Sequence, residues 1–390
     1  MFSISRLHQL MKALPRGQFD ALVKKHQADK HSKGFGSWSQ LIAMVYGQLS
    51  GASSLRVLEA GYNSQNNHHY HLGTRTIRRT TLSDANRTRT PDVFADTARL
   101  LMSQAKRQLR RDAEELLYLL DSSSLTLKGP GFDVWTQGNS TRNTQGIKLH
   151  LLYDALRETP VQHSFTPANV NDRDEGIKLP IEAGAVYVFD KGYCDYTWWQ
   201  HIQTTGAYFV TRFKRNAALQ VHRSQAIPTD AVDTVLADEV VIFSNRHPAA
   251  GRKNPYQVPL RRVTVARADH PTPLVLATND LSSPALEVAA RYKARWGIEL
   301  FFKWIKQHLK IKTLLGRSEN AVHIQILTAL ITYLLLALFR QASAFKGSLW
   351  ALLAELRASL FQRPTTAFFS HRRRCQDRFA IQQIQSELFA

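Results

Sequence analysis

Cysteine is nearly missing from this sequence of 390 residues, with two in the whole chain. Cys194 and Cys375 are too few for a disulfide framework or a cysteine zinc site. Long apolar runs are missing too. The longest, Ile326 to Phe339, falls short of a bilayer span and is bracketed by Gln325 and Arg340, which predicts a buried core helix. No N-terminal stretch joins a basic head to an apolar run and a small-residue cleavage site, so the sequence reads as cytoplasmic. No internal repeat is present. Acidic residues are scarce: 31 Asp and Glu stand against 51 Lys and Arg, a net charge of +20. That balance asks for a polyanionic partner or a role in solubility, and charge alone leaves nucleic acid and anionic membranes both open. Because the basic residues are spread along the chain and not gathered beside an apolar span, nucleic acid is favoured.

What is present is a change of texture along the chain. Residues 1–113 read as helical, with apolar spacing in Trp38 to Leu58 and Val93 to Leu109. Between them lies a polar, basic stretch from Asn63 to Arg89, with Ser83 or Asp84 placed to cap a helix. A small helical DNA-binding region fits this, as does an ordinary solvated helical segment. From Glu114 short apolar runs take over. Leu116 to Leu120 ends in Asp121, Ile147 to Tyr153 alternates, Val161 to Phe165 follows, and Ala185 to Phe189 stops at Asp190. Residues 216–284 form a further strand-rich block, punctuated by Asn245, Pro248, Gly251 and Pro255. Helical texture resumes with one helix from Pro284 to about Lys310 and another to about Gln341. The expected division is a helical N-terminal region over 1–113, a catalytic domain over 114–345 interrupted by a β-rich insertion over 216–284, and a basic tail over 346–390 containing Arg372 to Arg374.

Two apolar strands that end in aspartate place Asp121 and Asp190 where a sheet opens to solvent; turn formation and helix capping explain single acids equally well. On the third element, at about 100° per residue, Tyr292, Arg295, Glu299 and Lys306 share an arc of about 60°. Ile298, Leu300, Phe301, Phe302, Trp304 and Ile305 make a wide apolar arc opposite. The i,i+4 pairs Arg295 with Glu299 and Glu299 with Lys303 also read as plain surface salt bridges. If Asp121, Asp190 and Glu299 meet, each pair repels by on the order of 4 kcal/mol at 4 Å and an effective dielectric of 20. A divalent cation would compensate, and hard oxygen ligands suit Mg²⁺ or Mn²⁺. Among other candidates, His68, His69 and His71 read as a polar loop before a metal cluster, Lys148 and His150 share a strand face open to DNA or solvent, and Trp198 and Trp199 read as core.

The residues resemble the DDE transposases of bacterial insertion sequences, in particular the group named after insertion sequence four. Tyr292, Arg295, Glu299 and Lys306 match that group's signature of Tyr, Arg, Glu and Lys without a gap. Leu119-Leu120-Asp121-Ser122-Ser123-Ser124 and Phe189-Asp190-Lys191-Gly192-Tyr193-Cys194-Asp195-Tyr196 are similar to its other two motifs. Thr81-Leu82-Ser83-Asp84-Ala85-Asn86-Arg87 is similar to the segment that precedes the catalytic core. The resemblance spans roughly residues 75 to 310. It implies an α/β fold with an RNase H-like core, a mixed sheet flanked by helices, and a β-rich insertion between the second and third acids. It implies that Asp121, Asp190 and Glu299 hold two Mg²⁺ or Mn²⁺ ions, with Tyr292, Arg295 and Lys306 contacting DNA. Cut-and-paste transposition of element ends into target DNA, by a homodimer in a synaptic complex on the nucleoid, follows from the same resemblance. Lys191 stands where the group often has Arg, a change that loses bidentate geometry and leaves Lys191 outside the site. A catalytically silent DNA-binding derivative and an RNase H-like endonuclease that cleaves without joining are the competing readings.

Overall fold

The computed structural model describes residues 4–109, 115–139, 144–244, 254–267 and 270–363. Asn245, Pro248, Gly251, Arg372 to Arg374 and Cys375 lie outside these. The chain divides into two compact units, one of residues 102–306 and one that joins 1–101 to 307–390. The second segment of the latter begins inside the stretch 114–345 that the sequence groups with the catalytic domain.

Among its described residues the unit of 102–306 is built on ten strands in one sheet: β1 Leu117–Thr126, β2 Gln137–Asn139, β3 Thr144–Asp154, β4 Thr159–Pro167, β5 Val186–Phe189, β6 Tyr208–Arg212, β7 Leu219–Ser224, β8 Val235–Phe243, β9 Leu260–Val265 and β10 Leu274–Thr278. β4, β3 and β1 are antiparallel neighbours, and β5 and β6 continue the sheet in parallel with β1. Helices fill the crossover connections, as parallel pairing requires. This mixed sheet flanked by helices is an RNase H-like core. β1 and β5 carry continuous apolar runs, not alternation, because both faces of the central sheet are covered. The helix Tyr196–Thr204 closes one face. Its Trp198 packs on Phe189 and its Trp199 on Phe209, each with ring centroids 4.7 Å apart, so the two tryptophans are core residues as expected.

The strands of 216–284 join this same sheet. β10 pairs antiparallel with β6, and β9, β8 and β7 follow outward. The half-buried alternation of β8 and β9 supplies an apolar face to cover, and β6 would otherwise be an open edge. Two ion-pair systems, one between the insertion's own strands and one at its end, hold the insertion. Arg261 of β9 binds Asp238 of β8 through two bonds of 2.8 and 2.6 Å, and Arg291 binds Asp280 at 2.8 Å and Glu115 and Glu287 at 2.6 Å. At the β1–β3 pairing, Gly146 has φ +144°, and a side chain there would meet the Leu125 carbonyl oxygen at 2.1 Å. Only glycine lets the two backbones approach at that point.

In the other unit, the apolar spacing of Trp38 to Leu58 becomes two helices, Ser37–Ser50 and Leu55–Asn63, broken at Gly51 with a left-handed φ of +72°. Ser83 and Asp84 cap nothing. They lie inside the helix Arg79–Thr88, which starts from Arg78, and the expected cap position was off because a basic, polar first turn looks like a loop in sequence. The helix Glu319–Ala342 is long and apolar enough to cross a membrane, yet 89% of its apolar window is buried, so it is the core helix that its bracketing polar residues suggested. Buried Gln325 is satisfied on that helix, donating to the carbonyls of Lys310 and Thr313 and accepting from the Leu315 amide. It packs against the helices Ser37–Ser50, Arg79–Thr88 and Leu349–Ser359.

Candidate active site

β1 and β5 pair from Leu117↔Val186 to Leu120↔Phe189, and there β5 ends. β1 continues to Thr126 with only β3 beside it, so Asp121 lies within the strand, not at its end as the apolar run implied. The sequence misplaced the strand end because Asp121 to Ser124 is polar, while the ladder to β3 holds those residues extended. Asp190 leaves β5 in extended conformation and opens the turn Lys191–Tyr193. Paired residues of neighbouring strands sit about 4.8 Å apart, so Asp121 and Asp190, each one step beyond the last pair, start side by side and on one face. This is the crevice at the carboxyl ends of parallel strands where ligands of open α/β sheets bind.

Glu299 comes from above that crevice. The helix expected from Pro284 to about Lys310 is two helices, Ala285–Ala294 and Trp296–His308, meeting at Arg295. Bonds from the Arg295 amide to Tyr292 and from the Ile298 amide to Arg295 tighten the chain there into a three-residue spacing. The second helix lies over β1 and β3. Gly297 sits against Leu119, and the Phe301 ring lies 5.0 Å from that of Tyr153, which pairs with Leu119 in the sheet. Glu299 lies in the helical turn between these two anchors, near enough for its charge to act on Asp121. Ile298, Phe301, Phe302 and Ile305 are buried, but Leu300 is 55% exposed and Trp304 only partly buried, so the apolar arc is narrower than the sequence suggested.

Two of the three acids, Glu299 and Asp190, have a basic partner. Arg295 binds Glu299 at 2.6 Å, and its guanidinium stands 5.7 Å from the centre of the Tyr292 ring. Arg212, the last residue of β6, binds Asp190 at 2.5 Å. The Lys306 ammonium donates to the Ser123 hydroxyl, two residues along the same face of β1 as Asp121. Burial raises the Asp121 pKa to about 6, helped by the charges of Glu299 and Asp172 and opposed by Arg295 and the Ser122 amide. Burial also pushes Asp190 upward, but Arg212, the Lys191 amide and Arg295 outweigh it and hold it below the ordinary carboxylate range. Arg295 feels burial first, yet Tyr292, Glu299 and Asp121 raise it further into the charged state. The Nε groups of Arg212 and Arg295 are buried without a hydrogen-bond partner among the described residues. Buried donors of this kind are costly unless a ligand uses them.

Sequence reasoning missed two residues here. Arg212 ends the strand beside β5, and a charge closing an apolar strand was its only signal. Asp172 accepts from Ser122 at 2.9 Å and from Lys148 at 2.9 Å, and nothing in Asn171 to Glu175 separated it from an ordinary helix start. Lys148 and His150 do not face DNA or solvent. Both are buried; Lys148 is held by Asp172 and the Val170 carbonyl, and His150 bonds Thr166 at 2.7 Å with burial lowering its pKa to about 4. His69 is also buried, stacked on Tyr62 at 4.2 Å, in helical turns where a polar loop was expected. Among the described residues no three carboxylate, histidine or cysteine groups stand together at metal-holding distance. In the site Asp190 is turned to Arg212 and Glu299 to Arg295. The donor set itself, hard carboxylate oxygens with the Asp121 pKa raised by burial and by the Glu299 charge, fits Mg²⁺ or Mn²⁺.

A family model described as the transposase DDE domain matches residues 112–335, and one described as a domain of unknown function, DUF4372, matches residues 3–75. A putative transposase of Sinorhizobium fredii is 45% identical over 258 residues, covering 65% of this chain and 69% of its own length. A probable transposase for insertion sequence element IS5377 of Geobacillus stearothermophilus is 28% identical over 247 residues, 63% of each chain. Among solved structures, a piggyBac transposase synaptic complex with hairpin DNA aligns over 93% of this chain and 79% of its own, at 12% identity and a TM-score of 0.46.

Proposed function

Since this chain belongs to the transposase DDE domain family, we propose that it cuts the ends of an insertion sequence and joins them to target DNA. The finer reading is a member of the group named after insertion sequence four, with Tyr292, Arg295, Glu299 and Lys306 as its signature residues. Asp121, Asp190 and Glu299 would hold two Mg²⁺ or Mn²⁺ ions. Such ions activate water or a 3′ hydroxyl and stabilise charge on the leaving oxygen.

The protein's own part is electrostatic and positional. Arg212 and Arg295 neutralise the acids, and their spare Nε donors suit a phosphate oxygen in the crevice. Lys306 adds a point charge along β1, and the buried Tyr292 ring fixes the plane of Arg295. The supporting observation is the placement of Asp121 and Asp190 at the point where β5 leaves β1, with Glu299 on the helix that crosses Leu119. A homodimer that pairs two ends, working on the nucleoid in the cytoplasm, completes the proposal. So does its domain plan: DNA binding by residues 1–113, catalysis by 114–345 with the insertion 216–284, and a basic tail over 346–390.

The test uses the inverted repeats that flank the gene. Pre-cleaved ends incubated with plasmid, the full chain and Mg²⁺ should yield covalent insertion products. Cleavage without insertion would assign an endonuclease, and binding with neither reaction a silent derivative.

A further inference from the structure

The segment from His69 to Arg79 belongs to no part of the site above, and its two sides differ. On the inner side His69, Leu72, Thr74 and Ile77 are buried. Asn63 clamps Ile77 from both directions, accepting from its amide at 2.9 Å and donating to its carbonyl at 2.8 Å. Trp38 donates to the Leu72 carbonyl at 2.8 Å, Tyr62 to the Thr74 hydroxyl at 3.2 Å, and Arg16 to the Gly73 carbonyl at 3.3 Å. Glu59 accepts the Arg79 amide at 2.9 Å. On the outer side stand Tyr70, 82% exposed, and exposed Arg75, Arg78 and Arg79. No guanidinium of these three arginines pairs with a carboxylate among the described residues.

Three like charges within five residues repel, and an ordinary solvated loop would let them spread. Here the backbone is pinned by side chains from three helices, so the charges are held in place. The surrounding residues do not neutralise them: residues 4–101 contain fourteen Lys and Arg against six Asp and Glu. A rigid cationic ridge spends little ordering entropy when it meets a fixed row of anions. In extended backbone Arg75 and Arg78 are about 10 Å apart, roughly the rise along the duplex axis of three phosphates on one strand.

We infer that Arg75, Arg78 and Arg79 form a phosphate-binding ridge that grips the backbone of duplex DNA, with the Tyr70 hydroxyl as a neighbouring donor. This rests on the DNA reading given above. The ridge holds DNA without reading its sequence, as phosphate contacts do.

The experiment titrates the full chain into a labelled duplex over a range of salt. Replacing all three arginines by alanine should lower affinity at least about 30-fold near 0.1 M salt and reduce the slope of log affinity on log salt by about 2 to 3, since each phosphate contact contributes about 0.9. The triple lysine variant keeps the charge and should retain most of the slope, which separates lost contacts from lost folding. Unchanged affinity and slope in the alanine variant would overturn the ridge. So would selective loss of binding to phosphatidylserine vesicles with DNA binding intact. Glu299→Gln should bind the same duplex as the parent does, so failure of the catalytic reading and failure of the ridge give different results.

Discussion

Glu299→Gln should slow strand cleavage in Mg²⁺ by at least about 10³-fold, a loss of about 4 kcal/mol of transition-state stabilisation, while DNA affinity changes less than about threefold. The substitution keeps the shape and leaves an amide oxygen for Arg295, so the bond now made at 2.6 Å need not be lost. It removes the negative charge that acts on Asp121 and on any cation between them. A defect in folding would appear as a shifted melting temperature, and a defect in DNA contact as weaker binding. Loss of cleavage alone isolates the acid's charge. Cleavage at the parent rate would take Glu299 out of the chemistry.

The second large effect is on stability. Asp238→Ala should cost about 3 to 5 kcal/mol of unfolding free energy, because it strands the Arg261 guanidinium in a buried position. Asp238 and Arg261 are 4% exposed each, joined by two bonds between β8 and β9, and Gln225 adds a third bond to the aspartate at 3.1 Å. Replacing both partners by apolar residues should recover much of the loss, since the desolvation cost goes with the charges. Denaturant unfolding of the parent, single and double variants measures both effects. A single variant within about 1 kcal/mol of the parent would mean that β8 and β9 do not depend on the pair.

These two predictions draw on different parts of the legibility of the sequence. The acids could be read because their signals are local: an apolar run that stops at Asp121, another that stops at Asp190, and a spacing of Tyr292, Arg295, Glu299 and Lys306 that needs no partner to be seen. The strand contents of the core were legible for the same reason, as in β5 and β3. The pairing of strands was not, because β10 against β6 joins segments more than 60 residues apart by hydrogen bonds that leave no trace in local pattern. Thus 216–284 read as a block of its own while its strands complete one sheet with the core. Arg212 and Asp172 were missed because their roles exist only after β6 and the turn before Ile177 are placed beside the acids. Lys148 and His150 were taken as facing outward because alternation shows which residues share a face and says nothing of what covers it. The helix from Pro284 looked continuous since Arg295 keeps helical torsions, and the tightening is a matter of hydrogen bonding alone.

The core of the account is that three acids from distant segments jointly hold divalent cations. Crystals of the full chain with duplex ends, soaked in Mn²⁺ and measured for anomalous scattering, address this without relying on activity. The account predicts manganese peaks bonded to carboxylate oxygens of Asp121, Asp190 and Glu299, with Arg212 and Arg295 released toward DNA phosphate. Manganese bound elsewhere, with Asp190 and Glu299 still paired to Arg212 and Arg295 and the DNA in place, would contradict it.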